Sequence, residues 1–70
     1  MKNDIKWVAF PVMGSLVHFG TANACLRFIR RNPDVWRFER RQVRPNGQFK
    51  VCEIYNPKSM TRHPVKRGWA

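Results

Sequence analysis

The sequence predicts a small α+β domain, with one helix packed on an antiparallel sheet. Three observations carry that prediction. Two aromatic and β-branched runs, Val35–Arg44 and Phe49–Tyr55, flank a Pro45-Asn46-Gly47 turn signal. One stretch after Gly20-Thr21 repeats its apolar residues with helical spacing, and another extended run, Ile5–Met13, precedes it. The predicted order is β-(β)-α-β-β, followed by a basic tail.

Ile5–Met13 is read as a strand because it is rich in aromatic and β-branched residues. Its apolar residues occupy both parities, as in a strand covered on both faces. Pro11 removes a ladder donor and favours an edge or a bulge. Met13-Gly14-Ser15 reads as a turn, and Leu16–Phe19 as a short returning strand.

Thr21 is a good N-cap, since its hydroxyl accepts from an orphan backbone N–H. Ala22, Cys25, Leu26 and Ile29 stand at i, i+3, i+4 and i+7 and form the expected core stripe, with Phe28 at its flank. Arg27, Arg30 and Arg31 fall on the remaining surface, near the end where cations suit the helix dipole. Asn32-Pro33 stops the helix: Asn tolerates a left-handed cap, and Pro cannot continue the ladder.

In Val35–Arg44, Trp36 and Phe38 share one parity, and Arg37, Glu39 and Arg41 the other. In Phe49–Tyr55 the apolar parity changes between Val51 and Cys52, which predicts a bulge or a strand covered on both faces. Pairing residue 44 with 49 sets Arg40 opposite Glu53 and Phe38 opposite Tyr55, both favourable pairs. Residues 1–57 form the expected domain. Residues 58–70 are read as an extended or flexible tail, anchored by Val65 or Trp69.

Composition bounds the function. Seventy residues make one domain at most. Fourteen Lys and Arg oppose four Asp and Glu, a net charge of +10. Seven of the nine Arg lie between Arg27 and Arg44. Such an imbalance opposes compaction, so a polyanionic partner is expected. At 43% hydrophobic, with three Trp and five Phe, the chain is no disordered basic tail. No run approaches the roughly 20 apolar residues of a membrane helix, and no signal peptide is evident, so an intracellular, cytoplasmic location is expected and no membrane partner. Cys25 and Cys52 sit among apolar residues and read as reduced core thiols; a disulfide between them is the alternative.

The expected partner is nucleic acid. Arg27, Arg30, Arg31, Arg37, Arg40, Arg41, Arg44 and Lys50 form the predicted helix-and-hairpin contact surface, and Lys58, Arg62, Lys66 and Arg67 extend it as a basic arm. Arg suits bidentate phosphate contact and stacking on bases. DNA is preferred over RNA, since an Arg-bearing helix or hairpin suits the major groove. Trp36, Phe38, Phe49 and Tyr55 are candidate stacking platforms, although a chain this small needs most of its aromatics for its core.

An acidic surface on a nucleic-acid-processing protein is the alternative partner, which would make the chain a regulator or inhibitor of phage or mobile-element type. A ribonuclease toxin using His18, His63 and Tyr55 is the third reading. No enzyme is expected, because the four carboxylates form no acid–base pair and no nucleophile motif occurs. His18, Cys25, Cys52 and His63 lack zinc-finger spacing, so neither metal nor cofactor is expected.

Overall fold

Backbone hydrogen bonding assembles five strands into one antiparallel sheet of order β2-β1-β3-β4-β5. The structure is a computed structural model and describes residues 4–59 and 61–64. The elements are β1 (Asp4–Pro11), β2 (Val17–Phe19), α1 (Ala22–Arg31), β3 (Val35–Val43), β4 (Phe49–Asn56) and β5 (Thr61–Pro64). The α+β class and the first four strands match the sequence reading.

The fifth strand corrects the expected order. Thr61–Pro64 falls in the stretch read as a tail, yet it pairs with β4, setting His63 opposite Ile54 and Arg62 opposite Tyr55. The reversal is made by Asn56, whose Oδ1 accepts from the backbone N–H of Lys58 at 3.0 Å and of Ser59 at 3.4 Å. All four β5 residues are exposed, so no apolar alternation marks the strand. Val65, Lys66, Arg67 and Trp69 lie outside the described residues.

β1 lies between β2 and β3, and its apolar residues fall on both faces of the sheet. Val8 and Ala9 point to opposite faces and both are fully buried. The register slips between Phe10 and Pro11, so the proline ends the ladder. Gly14 then turns the chain with φ near 103°, a conformation that side-chain-bearing residues rarely adopt.

Thr21 caps α1 as expected, with its Oγ1 accepting from the Ala24 N–H at 3.2 Å. The apolar stripe is narrower than its spacing implied. The helix packs on β1 and β2, burying Cys25 and setting Phe28 against Phe19 at 5.4 Å between ring centroids. Leu26, expected in the core, is 37% exposed. Asn32 ends the helix without a left-handed conformation (φ −129°); its Nδ2 donates instead to the Phe28 carbonyl at 2.9 Å.

Cys25 and Cys52 are both free. Burial pushes the Cys25 thiol up to about 11, away from its reactive thiolate form. Cys52 is half-buried on β4. Native protein treated with a thiol reagent at neutral pH is expected to modify Cys52 first and Cys25 only on unfolding. Peptide mass mapping over time checks the order.

The hairpin of β3 and β4 resolves the parity change. Val43 pairs with Phe49 beside the turn, one residue out of the expected 44–49 pairing. A bulge between Arg40 and Arg41 takes up Cys52 as an extra residue and restores the expected partners, Arg40 with Glu53 and Phe38 with Tyr55. Gly47 closes the turn with φ near 92°.

The register defines two faces. Trp7, Ala9, Phe38 and Tyr55 share the helix side, where Phe38 and Tyr55 stack at 4.7 Å and 5°. Lys6, Val8, Phe10, His18, Arg37, Glu39 and Arg41 share the opposite side, which no helix covers.

Candidate nucleic-acid interface

The predicted contact residues separate into three groups. On α1, Asn23, Arg27 and Arg30 stand at i, i+4 and i+7 and so project from one side of the helix, with Arg31 beside them. All four are exposed. Among the described residues, Arg27, Arg30 and Arg31 make no salt bridge. A shallow depression of about 230 Å³ lies among Asn23, Leu26, Arg27 and Arg30. This is the exposed end of the Arg cluster, and no carboxylate among the described residues bridges it.

The second group lies on the helix side of the sheet and shares one carboxylate, Glu53, between two arginines. Arg40 Nε donates to Glu53 Oε1 at 2.8 Å, Tyr55 Oη donates to the same oxygen at 3.0 Å, and Arg62 Nε lies 3.3 Å from Glu53 Oε2. The Arg40 hydrogen bond, with help from Tyr55 and the Arg62 charge, holds the Glu53 carboxyl below its ordinary value of 4.5. Arg40 is held up in turn by the same bond. Burial, then the bond to Glu53, raises the Tyr55 phenol.

The sign of the Glu53 shift sets a pH dependence. Its stabilising effect is complete above the ordinary carboxyl value and is lost as pH falls through the lowered folded-state value, because the unfolded chain takes the proton first. Stability is therefore expected to fall on acidification below about pH 4.5. Glu53→Gln should flatten that part of the profile, as read by urea titrations between pH 3 and 6.

The third group lies on the open face. Glu39, only 3% exposed, bridges Arg37 Nη2 through one oxygen and Arg41 Nε through the other, each at 2.9 Å. Both guanidinium groups also lie over aromatic rings. Arg37 is 4.3 Å from the Phe10 centroid and 4.8 Å from that of Trp36. Arg41 is 4.3 Å from Phe49 and 5.6 Å from Phe10. The result is an alternating ladder, Trp36–Arg37–Phe10–Arg41–Phe49, crossing the face.

The sequence reading placed helix and hairpin arginines on one positive face. Strand alternation sends Arg37 and Arg41 to the side opposite α1, so that face is divided. Arg44 stays at the hairpin, donating from Nη1 to Gln48 Oε1 at 3.0 Å. Lys50 stands opposite Gln42 on β4, and Lys58 is exposed in the turn before β5. Of the stacking candidates, Phe38 and Tyr55 belong to the core, while Trp36 and Phe49 remain 48% and 37% exposed.

Sequence reasoning passed over Lys6 and Phe10 and considered His18 only for metal and ribonuclease chemistry. Their grouping depends on β1 lying beside both β2 and β3, a long-range pairing with no local signal. Among the described residues no cluster of His, Cys, Asp or Glu is arranged to hold a metal ion. No described helix is long and apolar enough to cross a membrane. No family model, curated protein or solved structure matches the chain.

Proposed function

We propose that this chain is a small, non-enzymatic nucleic-acid-binding protein whose principal phosphate-contacting element is α1. The carrying observation is the contrast between two sets of arginines. Arg37, Arg40, Arg41 and Arg62 are each bridged to Glu39 or Glu53. Arg27, Arg30 and Arg31 stand exposed, with no carboxylate partner among the described residues. Arginines that face solvent and lack internal partners are the ones available to phosphate.

The geometry favours duplex DNA. An α-helix with its side chains is about 10–12 Å across and fits a major groove about 12 Å wide. Asn23 lies on the same helix side as Arg27 and Arg30, and Asn and Arg are the side chains that pair with adenine and guanine edges there. Lys58, Lys66 and Arg67 would extend the footprint along the backbone. Two free thiols and a nucleic-acid partner fit the reducing interior of a cell.

Fluorescence-anisotropy titrations with duplex DNA, single-stranded DNA and RNA of one sequence test the reading. Duplex binding in the nanomolar to micromolar range at moderate salt supports it. No affinity for any of the three, together with capture of an acidic protein after nuclease treatment, overturns it.

A further inference from the structure

We infer that the open face of the sheet carries a second site, which takes an unpaired nucleotide of a single strand. In it the base packs against Phe49, and Lys6 and His18 meet the phosphate. The inference rests on the nucleic-acid reading for its ligand class but uses residues on the side of the sheet away from α1.

The site is a pocket of about 370 Å³ lined by Lys6, His18, Arg41, Val43, Gly47 and Phe49. That volume lies near the lower end of the roughly 300–1,000 Å³ typical of small-ligand sites. It is built from four neighbouring strands and the hairpin tip: Lys6 pairs with Arg41, His18 with Val8 two residues along β1, and Val43 with Phe49. The walls differ in character. Val43 and Phe49 are apolar, while Lys6 and His18 bring nitrogen donors to the other side. Among the described residues Lys6 makes no salt bridge.

A flat apolar group joined to an anion matches that division. Bases stack on aromatic rings and on guanidinium planes with little regard to sequence. Phe49 offers the ring, and Arg41 is held beside it by Glu39 and by its 4.3 Å contact with Phe49. A base paired inside a duplex presents no free plane, so the occupant is an unpaired nucleotide.

The rest of the face supports a strand over a lone nucleotide. The aromatic–guanidinium ladder continues from Phe49 to Trp36, which is 48% exposed. A second, smaller depression of about 130 Å³, lined in part by Trp36 and His63, lies at that far end. A single strand crossing the face would meet an exposed ring at each end.

The test is an NMR titration of the full chain, labelled with nitrogen-15, using oligothymidylate, oligouridylate, thymidine and inorganic phosphate as separate probes. The oligonucleotides are expected to shift the amides of Lys6, His18, Gly47 and Phe49, and the two sugars distinguish DNA from RNA. Phe49→Leu should weaken single-strand binding about fivefold or more, the factor that corresponds to losing one stacked base. Lys6→Gln should lower the slope of log K against log salt by about 0.7 without disturbing the apolar packing. Arg27→Gln with Arg30→Gln should leave the open-face shifts in place.

Oligonucleotide shifts confined to α1 would overturn the site. So would inorganic phosphate moving the same amides as far as the strands do, or wild-type single-strand affinity in both F49L and K6Q. Duplex binding through α1 would survive each of those outcomes, so failure here is distinct from failure of the principal reading.

Discussion

Replacing Glu39 by Gln is expected to destabilise the domain by about 3 kcal/mol, the low end of the range for breaking a buried ion pair. The carboxylate is the single anion between Arg37 and Arg41, and each of its oxygens serves one of them at 2.9 Å. Gln keeps the volume but has one carbonyl oxygen, and its NH₂ would face a cation. Two guanidinium groups would then share the face without their counter-charge. The low end applies because Arg37 is about a third exposed and water can still reach it. A domain of this size has only about 5–10 kcal/mol to lose, so the unfolded fraction should rise by two orders of magnitude. Urea unfolding followed by tryptophan fluorescence measures the difference.

A second variant separates the partner from the site. Exchanging Arg37, Glu39 and Arg41 together for apolar residues of similar volume should cost much less than Glu39→Gln, because no charge is then stranded. If the single exchange proves as mild as the triple one, Glu39 is not the anchor of the open face.

Changing Arg27, Arg30 and Arg31 together to Gln is expected to weaken duplex binding by a factor of about a hundred or more near 0.1 M salt. Each neutralised phosphate contributes about 0.9 to the slope of log K against log salt, so three contacts weigh heavily at low ionic strength. The fold should persist. All three side chains are exposed, and Gln is nearly as good a helix former as Arg. Arg30 and Arg31 occupy the last turn, so loss of their two dipole interactions should cost about 2 kcal/mol at most. Binding by anisotropy and stability by urea, measured on the same variant, separate contact from folding.

Much of this architecture was legible locally. Thr21 announced the helix, Pro45-Asn46-Gly47 announced the hairpin, and the parity change at Val51-Cys52 marked the bulge. Those signals are short-range and follow from backbone sterics and side-chain alternation. β5 was not legible, because its residues are exposed and its pairing depends on a turn made by the Asn56 side chain. Leu26 misled for a related reason: periodicity identifies a helix's apolar stripe, but the width of that stripe is decided by what lies beneath it. The arginines show the limit most clearly. Their number and sign were plain, and the parity of Arg37, Glu39 and Arg41 was read from alternation. Which arginines hold a carboxylate and which stand alone depended on the register of three strands and on Glu39 being buried.

On the proposed reading, α1 supplies arginines without a carboxylate partner to a phosphate backbone. The most direct measurement is the slope of log K against log salt for duplex DNA, in wild type and in the triple Arg27, Arg30, Arg31 variant. The wild-type slope should be −2.7 or steeper, and the variant's shallower by about 2.7, the counterion release of three phosphates. A wild-type affinity indifferent to salt, or equal slopes for the two proteins, would contradict it.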